Sequence, residues 1–260
     1  MNMVSKVRRF LRSSGAQSPF RFKRYLSDTD ASYWGVYATF AEAQADAVRT
    51  TGYDHPKMAR MHLPHLLRVQ PSDYPVMFHV SRLLPECRTI FDLGGNIGLQ
   101  FYAFQARFTF RPDLEWRVCE LPEIIIVGEE VRAERKDMRL TFTTEFSDCD
   151  GSDILLCGGS LQYIEEPLWE RLMRLTTRPR HIILNRTPFT ARKRFVSMQN
   201  LGPVFCPNLF YNEEEFLERM GEIGYQLRDS WPTLERGVNL HSHPELSEPH
   251  KKGLYLVLQP

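Results

Sequence analysis

The segment from Thr89 to Gln105 joins an apolar run to a glycine-rich turn and then to a second apolar stretch with helical spacing. An acidic residue ends the run and small residues follow it: Asp92, Gly94, Gly95, Asn96 and Gly98. Glycines after a strand let the backbone turn sharply and approach a ligand, and a helix that begins there presents its N-terminal amides. The pattern predicts a site for a nucleotide-like ligand, and a purely structural turn is the alternative.

A second acidic residue, Glu120, stands 22 positions after Gly98, at the end of another apolar run. In a doubly wound fold, an acid at the tip of the second strand lies beside the first glycine turn, where its carboxylate accepts the hydroxyls of a ribose. The alternative is a solvated carboxylate at a strand end, because the next residues, LPE, also resemble the start of a helix.

Short apolar runs alternate with polar helical stretches from Arg88 onward, which is typical of βαβ units and a mostly parallel sheet. The predicted strands are Thr89–Leu93, Glu115–Cys119, Leu140–Thr143, Asp153–Cys157, His181–Leu184, Gly224–Arg228 and Gly253–Leu258, with a helix at Glu213–Gly221. The long polar loop before the last strand favours a terminal hairpin over another crossover.

Three regions follow from these patterns: a basic tail at 1–25, a helical cap at 26–84 and an α/β domain at 85–260. In the cap, Thr39 and Glu42 have the spacing of a capping box, which predicts a helix from Phe40. A second amphipathic helix is predicted from Tyr74 to Leu84.

The series Asp92-Leu-Gly94-Gly95-Asn96-Ile-Gly98, taken with Glu120, resembles the first two motifs of class I S-adenosylmethionine-dependent methyltransferases. Asn96 and the additional Gly95 depart from the strict alternation of glycines in that family. The resemblance implies a Rossmann-like sheet, mostly parallel with a terminal antiparallel hairpin, and S-adenosylmethionine as cofactor. It also implies that Asp92 orients the methionine end, that the Gly94–Gly98 backbone passes along it, and that Glu120 holds the ribose with Leu121 beside the adenine or ribose.

The segment from Asp153 to Pro167 resembles the fourth strand and its exit loop in the same family, where cofactor and acceptor meet. Cys157 and Gly158 are therefore expected beside the cofactor, and Phe146 in the preceding loop is the expected adenine contact. More narrowly, the chain resembles a family of methyltransferase-like proteins associated with bacterial surface-polysaccharide genes. The motifs concerned are WGVY at 34–37, SLQYI at 160–164, NRTP at 185–188 and GYQLRDSW at 224–231. This resemblance implies O- or N-methylation of a saccharide or nucleotide-linked sugar.

Methyl transfer from a sulfonium is an in-line displacement, in which alignment of the reacting atoms does much of the work. A general base helps only when the acceptor is a hydroxyl or a protonated amine. Gln162 and Tyr163 are the candidates to orient an acceptor, and packing roles are equally open for both. His79, on the helix before the first strand, faces the cleft from the cap or has a structural role.

The pairs His62/His65 and His241/His243 each lack a second cluster of ligands, so no metal site is predicted. The basic run Arg186, Arg192, Lys193 and Arg194 lies in a predicted loop at 185–200, where it forms a solvated face or recognises a phosphate or acidic sugar. Five cysteines without a C-x-x-C pair indicate a reducing, cytoplasmic environment. The composition, 42% hydrophobic and 25% charged, excludes a disordered or fibrous chain.

The formal net charge of +1 conceals an uneven distribution along the 260 residues. The first 25 positions carry +7, and the remainder has 26 basic and 32 acidic residues, a net of −6. Apolar Val4, Val7 and Leu11 fall at helical spacing among the basic residues. Three interpretations of the tail are open: an amphipathic helix that binds the anionic inner face of a membrane, a solvated or disordered tail whose few apolar residues dock on the main domain, or a transit peptide.

Two other functions stay open at this point. One is a degenerate methyltransferase fold that serves as a binding or scaffold module, and the other is an NAD-dependent sugar-modifying enzyme. The glycine spacing G-x-G-x-x-G of the second class is not met. Specific nucleic-acid binding is not expected, since no recognised motif is present, and the sequence leaves the oligomeric state undetermined.

Overall fold

The computed structural model describes residues 19–28, 32–47, 53–54, 56–235, 237–248 and 250–259. The predicted amphipathic segment 4–11 lies outside them. The helices in the described part are α1 Pro19–Ser27, α2 Phe40–Ala45, α3 Pro56–Arg60, α4 Asp73–Leu83, α5 Leu99–Gln105, α6 Pro122–Arg135, α7 Leu168–Met173 and α8 Glu213–Glu222. The strands are β1 Ser32–Tyr37, β2 Thr89–Leu93, β3 Glu115–Cys119, β4 Leu140–Thr143, β5 Ile154–Cys157, β6 His181–Thr187, β7 Phe189–Thr190, β8 Phe195–Asn200, β9 Phe205–Asn212, β10 Tyr225–Thr233, β11 Asn239–Leu240 and β12 Lys251–Leu258.

Seven strands form the main sheet in the order β10-β12-β6-β5-β2-β3-β4. The strands from β6 to β4 are parallel, and Phe91 of β2 lies between Arg117 of β3 and Leu155 of β5. Strand β12 runs antiparallel to both of its neighbours, with Leu254 opposite Leu184. The predicted α/β fold class, a mostly parallel Rossmann-like sheet with a terminal antiparallel hairpin, is confirmed.

The central strands are apolar on both faces because helices cover both sides of the sheet. Strand β5 is buried along its whole length. On one face Phe91 and its neighbours pack with α7 and α8, and on the other Ile90 packs with Phe101 of α5 and Ile124 of α6. Each such fully buried side chain stabilises the fold by roughly 1.5–3 kcal/mol. The carboxyl ends of β2, β3 and β5 therefore lie together at one edge of a sheet that is packed between two layers of helices.

A second sheet, in the order β11-β1-β8-β9-β7, lies outside the sequence-based prediction. The region 26–84 contains the predicted helices, and α2 begins at Phe40 as predicted, with the Glu42 amide donating to Thr39 Oγ1 at 3.2 Å. It also contains β1, a strand that the sequence analysis did not predict. Tyr33 and Trp34 are fully buried on opposite faces of β1. Aromatic residues favour strands as β-branched ones do.

The prediction of a basic loop at 185–200 is wrong, because β6, β7 and β8 occupy most of this segment. Every residue of β8 is buried, and the strand pairs with β1 and β9. Only the turn that holds Arg192, Lys193 and Arg194 is exposed. The segment was interpreted as a loop because of these charged residues, although the residues on both sides of them are apolar and form strands.

Residues 19–25 of the predicted tail belong to α1, where Phe22 and Tyr25 are buried against Trp34. The aromatic residues of this segment thus dock on the fold, because residues three apart face the core together, while Arg21, Lys23 and Arg24 are exposed. Among the described residues, no helix is both long enough and apolar enough to cross a membrane.

Candidate functional site

The glycine turn predicted from the sequence follows β2 and leads into α5. Its backbone is left-handed at Gly94 (φ +69°), Asn96 (φ +56°) and Gly98 (φ +87°). A Cβ atom at Gly94 would lie 2.2 Å from Ser160 Oγ, so no larger residue fits there without movement. Asn96 tolerates the left-handed region better than most residues, and its Oδ1 accepts a hydrogen bond from the Ile97 amide at 2.9 Å. This explains the departure from glycine at position 96.

Asp92 lies directly beneath this turn and is fully buried. Its Oδ2 accepts a hydrogen bond from Trp116 Nε1 at 3.1 Å and would be 2.4 Å from a Cβ at Gly95. Its Oδ1 has no partner among the described residues. Burial raises the pKa of Asp92 to about 7, opposed by the Trp116 hydrogen bond, and the nearby Glu120 raises it further. A cationic ligand group at this point would satisfy the buried carboxylate.

Glu120 lies at the end of β3, on the other side of the turn. Its carboxylate oxygens accept hydrogen bonds from the Asn96 amide at 3.0 Å and the Leu121 amide at 2.9 Å. Burial raises the pKa of Glu120 to about 7, although both amides lower it, and Asp54 adds a small increase. Leu121, which precedes α6, is 40% exposed beside it. The structure thus brings together the predicted acid and the predicted turn.

The residues at the carboxyl end of β5 form the third part of the site at this edge of the sheet. Ser160 Oγ donates to the Leu93 carbonyl at 2.6 Å and lies 3.1 Å from the buried Cys157 Sγ. A Cβ at Gly158 would be 2.6 Å from Gln100 Oε1. The amide oxygen and nitrogen of Gln100 are both buried without a partner in the described part of the chain. Gln100 is a residue that the sequence interpretation missed, and its only signal was a polar side chain in the first turn of an apolar helix.

Gln162 and Tyr163 follow in a short 3-10 turn at the same edge. Gln162 is buried; its Nε2 donates to the Gly159 carbonyl at 2.7 Å, and its Oε1 has no partner among the described residues. Tyr163 OH donates to Gln199 Oε1 at 2.9 Å, and Asn208 Nδ2 donates to the same oxygen at 2.9 Å. The second sheet therefore covers this edge with amide groups. Polar residues within the apolar strands β8 and β9 were the signal for Gln199 and Asn208.

Tyr53 brings the cap region to the same place. Its ring is stacked on that of Tyr163, with centroids 6.4 Å apart and planes at 21°. Its hydroxyl lies 2.8 Å from His62 Nε2 and 3.5 Å from Asn96 Nδ2. The sequence offered no signal for this contact, because it depends on the path of the chain between distant segments.

Arg186, part of the predicted basic run, has a left-handed backbone at the end of β6 (φ +52°). Its Nη1 donates to the Gly158 carbonyl at 2.7 Å, and its Nη2 forms an ion pair with the buried Asp73 of α4. These contacts hold the loop after β5 in place. A guanidinium that bridges a carbonyl and a carboxylate acts through its geometry, which a lysine does not reproduce.

One predicted residue, His79, takes another position. His79 lies on α4 against the face of the sheet, with Nε2 2.9 Å from Asp229 Oδ2 and its ring 4.4 Å from that of Tyr255. It packs on β10 and β12 and is not brought to the edge where Gln162 and Tyr163 meet the turn. Phe146 follows β4, and its ring packs edge-on against Phe91 at 5.7 Å.

Among the described residues, no group of three or more histidine, cysteine, aspartate or glutamate side chains could hold a metal ion. His62 contacts Tyr53, while His241 and His243 lie in the segment after β11. This edge offers the fully buried carboxylate of Asp92, the half-buried carboxylate of Glu120, a left-handed turn, and amide groups of Gln100 and Gln162 without a partner among the described residues. This set of donors and acceptors fits an adenosyl cofactor with a cationic amino acid end.

Comparisons with known proteins agree with this topology. No family model and no curated protein sequence matches the chain. Among solved structures, it is similar to 1,6-didemethyltoxoflavin-N1-methyltransferase from Burkholderia thailandensis with bound S-adenosylhomocysteine (TM-score 0.51, 15% identity, 80% of this chain and 84% of that one). It is also similar to the N-terminal domain of EvdMO1 with S-adenosylhomocysteine bound (0.51, 14%, 78% and 94%) and to a SAM-dependent methyltransferase from Aquifex aeolicus (0.50, 12%, 79% and 99%). These similarities show that the chain has the class I methyltransferase fold.

Proposed function

We propose that the protein is an S-adenosylmethionine-dependent methyltransferase. The observation that carries the proposal is the contact between the Glu120 carboxylate and the backbone of the glycine turn at Asn96, at the carboxyl edge of a sheet with the class I fold. In a doubly wound fold this is the point where a nucleoside binds and a strand-end acid takes its ribose hydroxyls. The neighbouring folds with S-adenosylhomocysteine bound support the choice of nucleoside.

In this proposal the predicted cofactor residues other than Asn96 each have a defined task. Glu120 accepts the ribose hydroxyls, and the exposed Leu121 packs beside the adenine or ribose. Asp92 and the amide of Gln100 receive the amino acid end, and the backbone of Gly94, Gly95 and Gly98 leaves room for it. Cys157 and Gly158 border the cofactor at the exit of β5. Phe146 stays the proposed adenine contact.

The bound cofactor would supply an electrophilic methyl group, and the protein would align an acceptor with it. We assign this task to Gln162 and Tyr163. Their turn follows Ser160, which donates to the Leu93 carbonyl before the glycine turn, and Tyr163 donates to Gln199 of β8. Exclusion of water by this cover strengthens polar interactions inside the site. Tyr163 has the role of an orienting group, since its hydroxyl is already bonded to an uncharged amide.

The acceptor that we propose is a hydroxyl or amine of a saccharide or nucleotide-linked sugar. It is supported by the sequence resemblance and by the uncharged amide and hydroxyl groups of Gln162, Tyr163, Gln199 and Asn208 at this edge. Such groups suit a ligand with many hydroxyls. Cytoplasmic location and association of residues 1–25 with an anionic membrane stay predictions.

The test is incubation of the full-length protein with candidate sugar acceptors and cofactor that carries a deuterated methyl group, followed by mass spectrometry. A sugar product heavier by one deuterated methyl group is expected, and Gln162→Ala should reduce its yield. Transfer to no acceptor, in protein that binds the cofactor, would favour the scaffold alternative.

A further inference from the structure

A cavity of about 290 Å³ lies between α1 and the segment from Asn239 to Ser247, outside the proposed cofactor site. Arg21 and Arg24 line it from the helix, and Asn239, His241 and Ser247 line it from the opposite side. Sites for small ligands generally start at about 300 Å³. The cavity therefore has the size of a small anionic ligand and a cationic lining.

The two arginines are held in place by the way α1 packs. Phe22 and Tyr25 are buried against Trp34, with ring centroids 4.9 and 5.7 Å from it. Asn200 Nδ2 also donates to the Tyr25 carbonyl at 2.8 Å. Because Arg21 and Arg24 are three residues apart, they lie on one side of the helix and both border the cavity. Because the helix is already anchored, a ligand that binds here has to order less of the protein, and the entropic cost of binding is smaller.

His241 supplies a second, independent feature. Its Nε2 is buried and has no hydrogen-bond partner among the described residues. Its backbone amide donates to the carbonyl of Tyr33 in β1 at 3.0 Å, and this bond holds His241 beside that strand. Burial lowers the pKa of His241, and Arg24 and Arg21 lower it further, whereas Asp28 raises it. A buried ring nitrogen without a partner is unfavourable, and an oxygen of a bound anion would satisfy it.

Other charged groups border this region. Arg192 donates to the Glu245 carbonyl at 3.2 Å, and Lys251 Nζ lies 5.9 Å from the centroid of the Tyr33 ring. Asp28, at the end of α1, is the acid whose charge reaches His241. Of the described residues that line the cavity itself, Arg21 and Arg24 are cationic and none is acidic, which favours an anion.

We propose that this cavity binds a phosphate group, with Arg21, Arg24 and the His241 ring as its donors. A tetrahedral phosphate presents oxygens in several directions, which suits donors on two opposite walls, and guanidinium groups bind it with charge-assisted hydrogen bonds. The phosphate belongs either to a small soluble molecule or to a phospholipid headgroup. Phe20, which is 73% exposed beside the cavity, would contact the lipid in the second case.

Calorimetric titration of the full-length protein with inorganic phosphate tests the site. Arg24→Gln and His241→Gln should each weaken binding about tenfold, since each removes one donor to the anion. Lys23→Gln is the matched control, because Lys23 is an exposed cation on the same helix that does not line the cavity. Affinity within about twofold of the unchanged protein is expected for it. Thermal unfolding of each variant verifies that it is folded.

Vesicle flotation separates the two sources of phosphate. Vesicles of phosphatidylcholine with phosphatidic acid should bind the protein and release it on addition of inorganic phosphate if the ligand is a headgroup. Binding of inorganic phosphate without vesicle binding assigns the site to a soluble phosphate. Equal losses in Lys23→Gln and Arg24→Gln, or no binding of either probe by folded protein, would overturn the proposal.

Discussion

Replacement of Glu120 by glutamine is the most informative change at the proposed cofactor site. Each carboxylate oxygen now accepts one backbone hydrogen bond, from Asn96 and from Leu121. Glutamine keeps the shape of the side chain, but an NH2 group replaces one carboxylate oxygen. A donor then faces the backbone amide of Asn96 or Leu121 in place of an acceptor. Loss of a hydrogen bond to a charged group costs about 1.5–3 kcal/mol, so S-adenosylhomocysteine should bind roughly 10- to 100-fold more weakly.

The pH dependence of binding supplies a second, independent measure. Burial raises the pKa of Glu120 to about 7, well above its usual value. The ionised form is the better acceptor for ribose hydroxyls, so the Kd should fall as the pH rises from about 6 to about 8. In Glu120→Gln this dependence should be smaller. Asp92, whose pKa is also about 7, leaves a residual dependence in the variant.

Isothermal titration calorimetry with S-adenosylhomocysteine at several pH values measures both effects. Glu123→Gln is the matched control, because it removes the same charge from the first turn of α6 without touching the glycine turn. We expect its affinity and pH profile to match those of the unchanged protein. Equal affinity and equal pH slope in Glu120→Gln would refute the ribose assignment.

Three further predictions concern the positions of other residues. Gly94→Ala should abolish S-adenosylhomocysteine binding and destabilise the fold more than Gly151→Ala, because both glycines have positive φ but only Gly94 has an atom in the way of a Cβ; urea unfolding compares them, with about 1–2 kcal/mol expected for the control. Arg186→Lys should lower the free energy of unfolding by about 1–2 kcal/mol through loss of its bond to Gly158, and an unchanged urea midpoint would contradict this. His79→Gln should lower the melting temperature and leave cofactor affinity unchanged in calorimetry, and weaker binding would contradict its structural placement.

The main sheet was predictable because its strands are short apolar runs separated by helical stretches. Such runs form strands largely independently of the rest of the chain, so six of the seven predicted strands agree with the structure to within three residues at each end. The proximity of Glu120 to the turn at Asn96 was predictable for a related reason. Parallel strands that are neighbours in the sheet place their carboxyl ends side by side.

The second sheet was not predictable, because it joins segments that are far apart in the chain. Strand β1 pairs with β8, about 160 positions away, and no local pattern reports such a pairing. Gln199 and Asn208 were missed because the strands that carry them, β8 and β9, were not predicted. Tyr53 was missed because its contacts with Tyr163 and Asn96 depend on how distant segments meet.

Calorimetric titration of the unchanged full-length protein with S-adenosylhomocysteine and, separately, with NAD tests the central claim most directly. We predict saturable binding of S-adenosylhomocysteine with one site per chain and no heat with NAD. Absence of binding to S-adenosylhomocysteine, in protein whose thermal unfolding shows that it is folded, would contradict the claim that this edge of the sheet is a methyltransferase cofactor site.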